Sequence, residues 1–168
     1  DCELLQSEAI LFYYRYLLLF QINDYGRVAA DTEHNLRMCR IFERYVDSEE
    51  DRESVLQYKP YIVRMNSMAR AMLLMKRGEQ QQATVVIESA IEDIESMNQI
   101  DTPAFQFEKV RSANYLKSAL KQISPGEPAV ESSLTSLKKE LDQAVHEEDY
   151  ERAAELRDRI RTMRSHGR

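Results

Sequence analysis

Apolar residues recur along this chain in steps of three and four, and nowhere does an alternating apolar–polar pattern persist. The clearest case is Tyr58, Tyr61, Met65, Met68, Met72 and Met75, whose steps run three, four, three, four, three. That period matches one face of an α-helix and cannot serve as one face of a strand. Only four glycines and four prolines occur in 168 residues, so long stretches are free to stay helical. The expected fold class is all-α: a helical bundle or repeat-like helix pairs, with a C-terminal antiparallel helical hairpin.

The breakers divide the periodic segments. A first helix is expected over about 3–22, apolar over much of its circumference through Leu5, Phe12, Tyr16 and Leu19 and through Leu4, Leu11, Leu18 and Ile22. Such a helix is normally central or covered by a partner. Asn23, Asp24 and Gly26 interrupt it. A second helix to about Val46 turns in Val28, Thr32, Leu36, Cys39, Phe42 and Val46. The acidic run 47–51 reads as a solvated turn or a helix start. The Met-rich third helix tolerates Pro60 in its first turn and stops at Gly78. The fourth carries Ala83, Ile87, Ala90, Ile94 and Met97. The fifth begins at Thr102-Pro103 and carries Val110, Ala113, Leu116, Leu120 and Ile123. Two of the four prolines fall in 124–128, which reads as a linker. The division is therefore 1–123, a helical domain; 124–131, a Pro/Gly linker; and 132–168, a short helical pair broken only by the polar turn 146–149.

Residues 137–163 read LKKELDQAVHEEDYERAAELRDRIRTM. A leucine-spaced first helix (Leu137, Leu141, Ala144) leads into an aromatic-Glu pair (Tyr150, Glu151), two alanines (Ala153, Ala154), then Arg157, Asp158 and Ile160. This segment resembles the UVR motif of the excision-repair proteins UvrB and UvrC, found also in modulators of bacterial protein arginine kinases and in some Clp ATPases. The resemblance implies a protein-docking element, including self-association, with those ten residues as the protein-binding set. The family usually has Phe where Tyr150 stands here; the ring is kept and a hydroxyl is added. The same physics can be read directly. Small side chains at 153 and 154 permit close helix approach, and Arg157 and Asp158 can form charged hydrogen bonds across an interface. Residues 3–123 weakly resemble tetratricopeptide-type helical repeats, although their two turns lie over fifty residues apart and the usual proline is missing.

Charge bears on partners. The formal net charge is -6, and a duplex binder needs a basic face to neutralise phosphates. Residues 137–163 carry six basic and eight acidic residues. A protein partner through the hairpin, another UVR-containing protein or a second copy, is the expectation; nucleic acid is the poorer one, kept as an alternative in which the chain is an accessory excision-repair factor contacting DNA. The apolar segment 10–20 is too short to span a bilayer, and no signal-peptide pattern accompanies it. No membrane association and a cytoplasmic location are expected. The sequence opens on Asp1 rather than Met, as a piece of a longer protein would. Cys2 and Cys39 do not form a CxxC, and Cys39 belongs to a core face. His34 lies five residues from Cys39, which does not set both on one helix face. His146 and His166 stand apart. No metal, no cofactor and no enzymatic activity are expected, since neither a phosphate loop, HExxH nor GxSxG is present.

Overall fold

The computed structural model describes residues 2–123 and, beyond them, residues 137, 140, 141, 152 and 154–158. The chain divides into two compact units, Asp1–Ile123 and Ser124–Arg168. Every element with named bounds is an α-helix: α1 (Cys2–Gln21), α2 (Tyr25–Tyr45), α3 (Glu49–Leu56), α4 (Lys59–Lys76), α5 (Gln80–Ser96) and α6 (Pro103–Ile123). The fold is all-α.

Two helix pairs, α1–α2 and α4–α5, are closed by the same turn. In the first, the amide of Asp24 donates to the carbonyl of Leu19 at 2.9 Å and Asn23 to Phe20 at 3.0 Å. In the second, Glu79 donates to Leu74 and Gly78 to Met75, both at 3.0 Å. This is the left-handed helix stop, and it needs a residue at positive φ. Asn23 supplies it at 60° and Gly78 at 77°. Both residues types reach that region at low cost. Gly26, read from sequence among the breakers of the first turn, lies inside α2 instead. Asp24 caps α2 by accepting from the amide of Arg27.

The acidic run resolves into a cap and a helix. Ser48 accepts from the amide of Asp51, and Glu49, Glu50 and Asp51 occupy the first turn of α3, where carboxylates favour the positive end of the helix dipole. This short helix sits between the two pairs and separates their turns in sequence.

The central helix is α4. Arg64, Met65, Asn66, Ser67, Met68 and Ala69 are buried in unbroken succession, so neighbours cover it on all sides. Ser67, Ala69 and Ala71 keep its girth small enough for that. One core joins α4, α5 and α6 through Met68, Ala71, Ala83, Ile87, Ile91, Ile94 and Leu116. Another joins α1, α2 and α4 through Tyr16, Leu19, Tyr25, Val28, Met65 and Ala69. Cys39, Leu56 and Ile62 form a third under α3. Asn66 bridges α4 to α2, donating to Thr32 Oγ1 at 3.0 Å and to the carbonyl of Ala29 at 3.2 Å. A buried amide is tolerable because both donors are used.

Two expectations need correction. Of the two expectations for α1, central in the bundle or covered by a partner, the first fails: Tyr16 and Leu19 are buried, while Leu4, Leu11 and Leu18, and Ile22 just after the helix, are exposed, Leu11 to 71%. On α6, Val110 is not part of the buried stripe; it is 63% exposed, and Phe105 and Ser112 are buried beside Ala113 and Leu116.

Candidate protein-interaction site

In the C-terminal unit, Leu137, Glu140 and Leu141 are helical, as are Arg152 and residues 154–158. Leu137 is buried, Leu141 half-buried and Glu140 exposed. In the later helical stretch Leu156 is buried, whereas Ala154, Glu155, Arg157 and Asp158 are exposed. Positions 154, 157 and 158 stand in the relation i, i+3, i+4 and share one face; position 156 points to the opposite side. Three of the ten residues assigned from sequence are thereby brought together: a methyl group flanked by a guanidinium and a carboxylate. Arg157 Nε and Asp158 Oδ1 are 3.6 Å apart, with both side chains largely in solvent. A pair of that length and exposure contributes little to stability. Ala144, Tyr150, Glu151, Ala153, Ile160 and the expected turn at 146–149 lie outside the described residues.

The helical unit holds polar features that the apolar periodicity did not reveal. Arg15 on α1 binds Asp31 on α2 with both arms of its fork, Nε to Oδ2 at 2.7 Å and Nη2 to Oδ1 at 2.6 Å. Its guanidinium also lies 4.4 Å from the centre of the Phe12 ring, which in turn stacks on His34 at 3.9 Å. A second arginine, Arg64, is only 6% exposed. Its guanidinium carbon is 4.7 Å from the Tyr61 ring centre on α4 and 5.1 Å from that of Tyr115 on α6. Tyr13 of α1 packs against Tyr61 at 5.8 Å and against Tyr16 at 5.6 Å. Burial pushes the Tyr61 phenol up to about 12; Tyr13 adds to this and Arg64 opposes it. Burial likewise raises the Tyr16 phenol; Tyr61 and Tyr13 add to this and Asn35 opposes it. Nearby on α6, Glu108 pairs with Arg111 at 3.1 Å and accepts from Ser112 at 3.4 Å. The overlooked signal was a cation three residues after an aromatic, Phe12–Arg15 and Tyr61–Arg64, which a helix sets side by side.

Among the described residues no group of three or more His, Cys, Asp or Glu could hold a metal ion. Cys2 and Cys39 are free thiols, and burial pushes that of Cys39 up to about 12. No helix among them is long and apolar enough to cross a membrane.

No curated protein and no solved structure matches the chain. The tetratricopeptide-like reading of 3–123 is not confirmed by the comparisons. A family model, described as the UvrB/uvrC motif, matches residues 131–165. That motif occurs in UvrB/UvrC-type DNA-repair proteins and suggests a helical interaction module. The C-terminal region of this chain carries a UVR motif.

Proposed function

We propose that this chain is a non-catalytic interaction or adaptor protein, which docks a protein partner through its C-terminal UVR hairpin and offers its helical unit to a second one. The carrying observation is the division of residues 154–158 within the matched motif: Leu156 is turned in, while Ala154, Arg157 and Asp158 are turned out on one face. A helix that exposes a small side chain between two opposite charges is built to be approached closely and bonded at its edges. The partner is another UVR-bearing protein or a second copy. The setting is the bacterial cytoplasm, in DNA repair or in control of stress and proteolysis. On the helical unit, the exposed stripe Leu4, Leu11 and Leu18 of α1, continued by Ile22, is apolar surface of the kind that interaction proteins carry.

The test is Ala154→Arg, which fills the close-approach position with bulk and an unpaired charge. Self-association and binding to a purified UVR-bearing protein, read by calorimetry, should weaken by at least about 2 kcal/mol if position 154 lies at a packed centre. The melt of the helical unit should stay where it is. Association that survives Ala154→Arg unchanged would refute docking through this face.

A further inference from the structure

Arg64 is the cation of the helical unit whose contacts are rings rather than acceptors. It is 94% buried by the measure that leaves it 6% exposed. Burying a guanidinium is expensive unless its charge is paired and its N–H groups find acceptors. Among the described residues Arg64 makes no ion pair and none of its side-chain N–H groups has a protein acceptor; its contacts are the rings of Tyr61 and Tyr115. The contact of the exposed Arg15 with the buried Asp31 shows what a completed site looks like in this molecule: a carboxylate gripped by two donors. Glu108, which acts on the neighbouring Tyr61, does not play that part, because it is taken by Arg111 and Ser112.

Ring contacts engage the π face of an aromatic with a cation and do not consume the planar N–H fork. Arg64 is therefore held in position by Tyr61 and Tyr115 with its donors still to be matched. Three helices meet here, since Tyr13 of α1 packs on Tyr61 of α4 and Tyr115 of α6 closes on Arg64. The rim is aromatic: Tyr13, Tyr115 and Phe107 are exposed, and Phe107, Arg111 and Tyr115 follow one another at i, i+4, i+8 along α6. Arg111 lies over Phe107 at 5.6 Å, so the rim repeats the pairing of cation and ring.

We infer that the patch formed by Tyr13, Tyr61, Arg64, Arg111 and Tyr115 is a second binding site, which takes an acidic side chain of a partner polypeptide flanked by apolar residues. A carboxylate fits this patch better than a phosphate. Arg111 is already neutralised by Glu108, which leaves one uncompensated positive charge. A planar monoanion matches one guanidinium fork in charge and in geometry. The apolar flanks of the segment would lie on the Tyr13, Phe107 and Tyr115 rings. This goes beyond docking through the hairpin, since it assigns a specific chemistry to the helical unit.

The experiment uses the full chain immobilised, with fluorescein-labelled, C-terminally amidated heptapeptide pools. Central residue Glu, Gln or phosphoserine distinguishes the pools, and the remaining positions are randomised among apolar residues and serine. The Glu pool should be retained at least fivefold over the Gln pool. Arg64→Gln should abolish that excess, Arg64→Lys should leave a fraction of it, and Ala154→Arg should not change it. Equal retention of Glu and Gln pools would overturn the inference, as would an excess that persists in Arg64→Gln. Stronger retention of the phosphoserine pool would replace a carboxylate site by a phosphate site and overturn it too. An excess lost in Ala154→Arg would assign the peptide to the hairpin and refute a second site. If Arg64→Gln fails to melt cooperatively, Tyr115→Ala decides: its ring is half exposed, and full retention of the excess without it would sink the proposal.

Discussion

At the scale of single residues, the buried thiol and phenols make the molecule sensitive to alkali. Burial raises the Cys39 thiol from an ordinary 9.0 to about 12 and the Tyr61 phenol from 10.0 to about 12. The folded state thus keeps protons that the unfolded chain gives up from about pH 9 onward. Their contribution to stability is fully present below that pH and is lost progressively as pH climbs to about 12, because the unfolded state binds fewer protons over that window. The denaturation midpoint should hold level between pH 7 and pH 8.5 and fall steadily from pH 9 to 11. A level midpoint across the whole range would contradict this. Reactivity gives an independent check, since the thiolate is the reacting species. At pH 8 a disulfide reagent should label Cys2, which is partly exposed, and reach Cys39 only after unfolding.

At the scale of elements, periodicity alone located the long helices because their buried faces are aliphatic and their stops chemically distinct. Ala83, Ile87, Ala90 and Ile94 of α5 were legible and are all buried. Thr102 caps α6 through its hydroxyl, which accepts from Phe105 at 3.2 Å, in keeping with an element starting there. The face of α6 was less legible. Val110 and Leu116 have similar hydropathy, and only the angle at which α6 meets α4 and α5 decides which is turned inward. Leu116→Ala should cost about 2–5 kcal/mol, since Leu116 is fully buried against α5. Val110→Ala should stay within about 0.5 kcal/mol. Equal destabilisation by the two, in urea titrations, would restore the face read from sequence. A helix apolar on two sides can be central or await a partner; α1 is not central, because the small residues of α4 admit neighbours all round and take that place. In the candidate sites, the i, i+3, i+4 set Ala154, Arg157 and Asp158 was readable because its spacing is local. The environment of Arg64 was not, because Tyr115 reaches Arg64, and Tyr13 its neighbour Tyr61, from helices far away in sequence.

At the scale of the molecule, three cores among the described residues are drawn from the helices of the first unit. A fragment of residues 1–123 should therefore melt in one cooperative transition, within a few degrees of the first unit in the full chain; a fragment without a transition would show that residues beyond 123 complete its core. The tyrosines give such experiments an uncommon advantage. The chain has nine tyrosines and no tryptophan, and Tyr13, Tyr14, Tyr16 and Tyr61 form a connected group of rings, with centres 5.2 to 6.4 Å apart at mixed tilts. Chromophores so close and so asymmetrically held couple their transitions, so the near-ultraviolet dichroism should carry a contribution from the junction where α1 meets α4, and Tyr61→Phe should diminish it. The molecule carries a built-in optical gauge: without any label, light absorbed by these rings reports whether the first helix is seated.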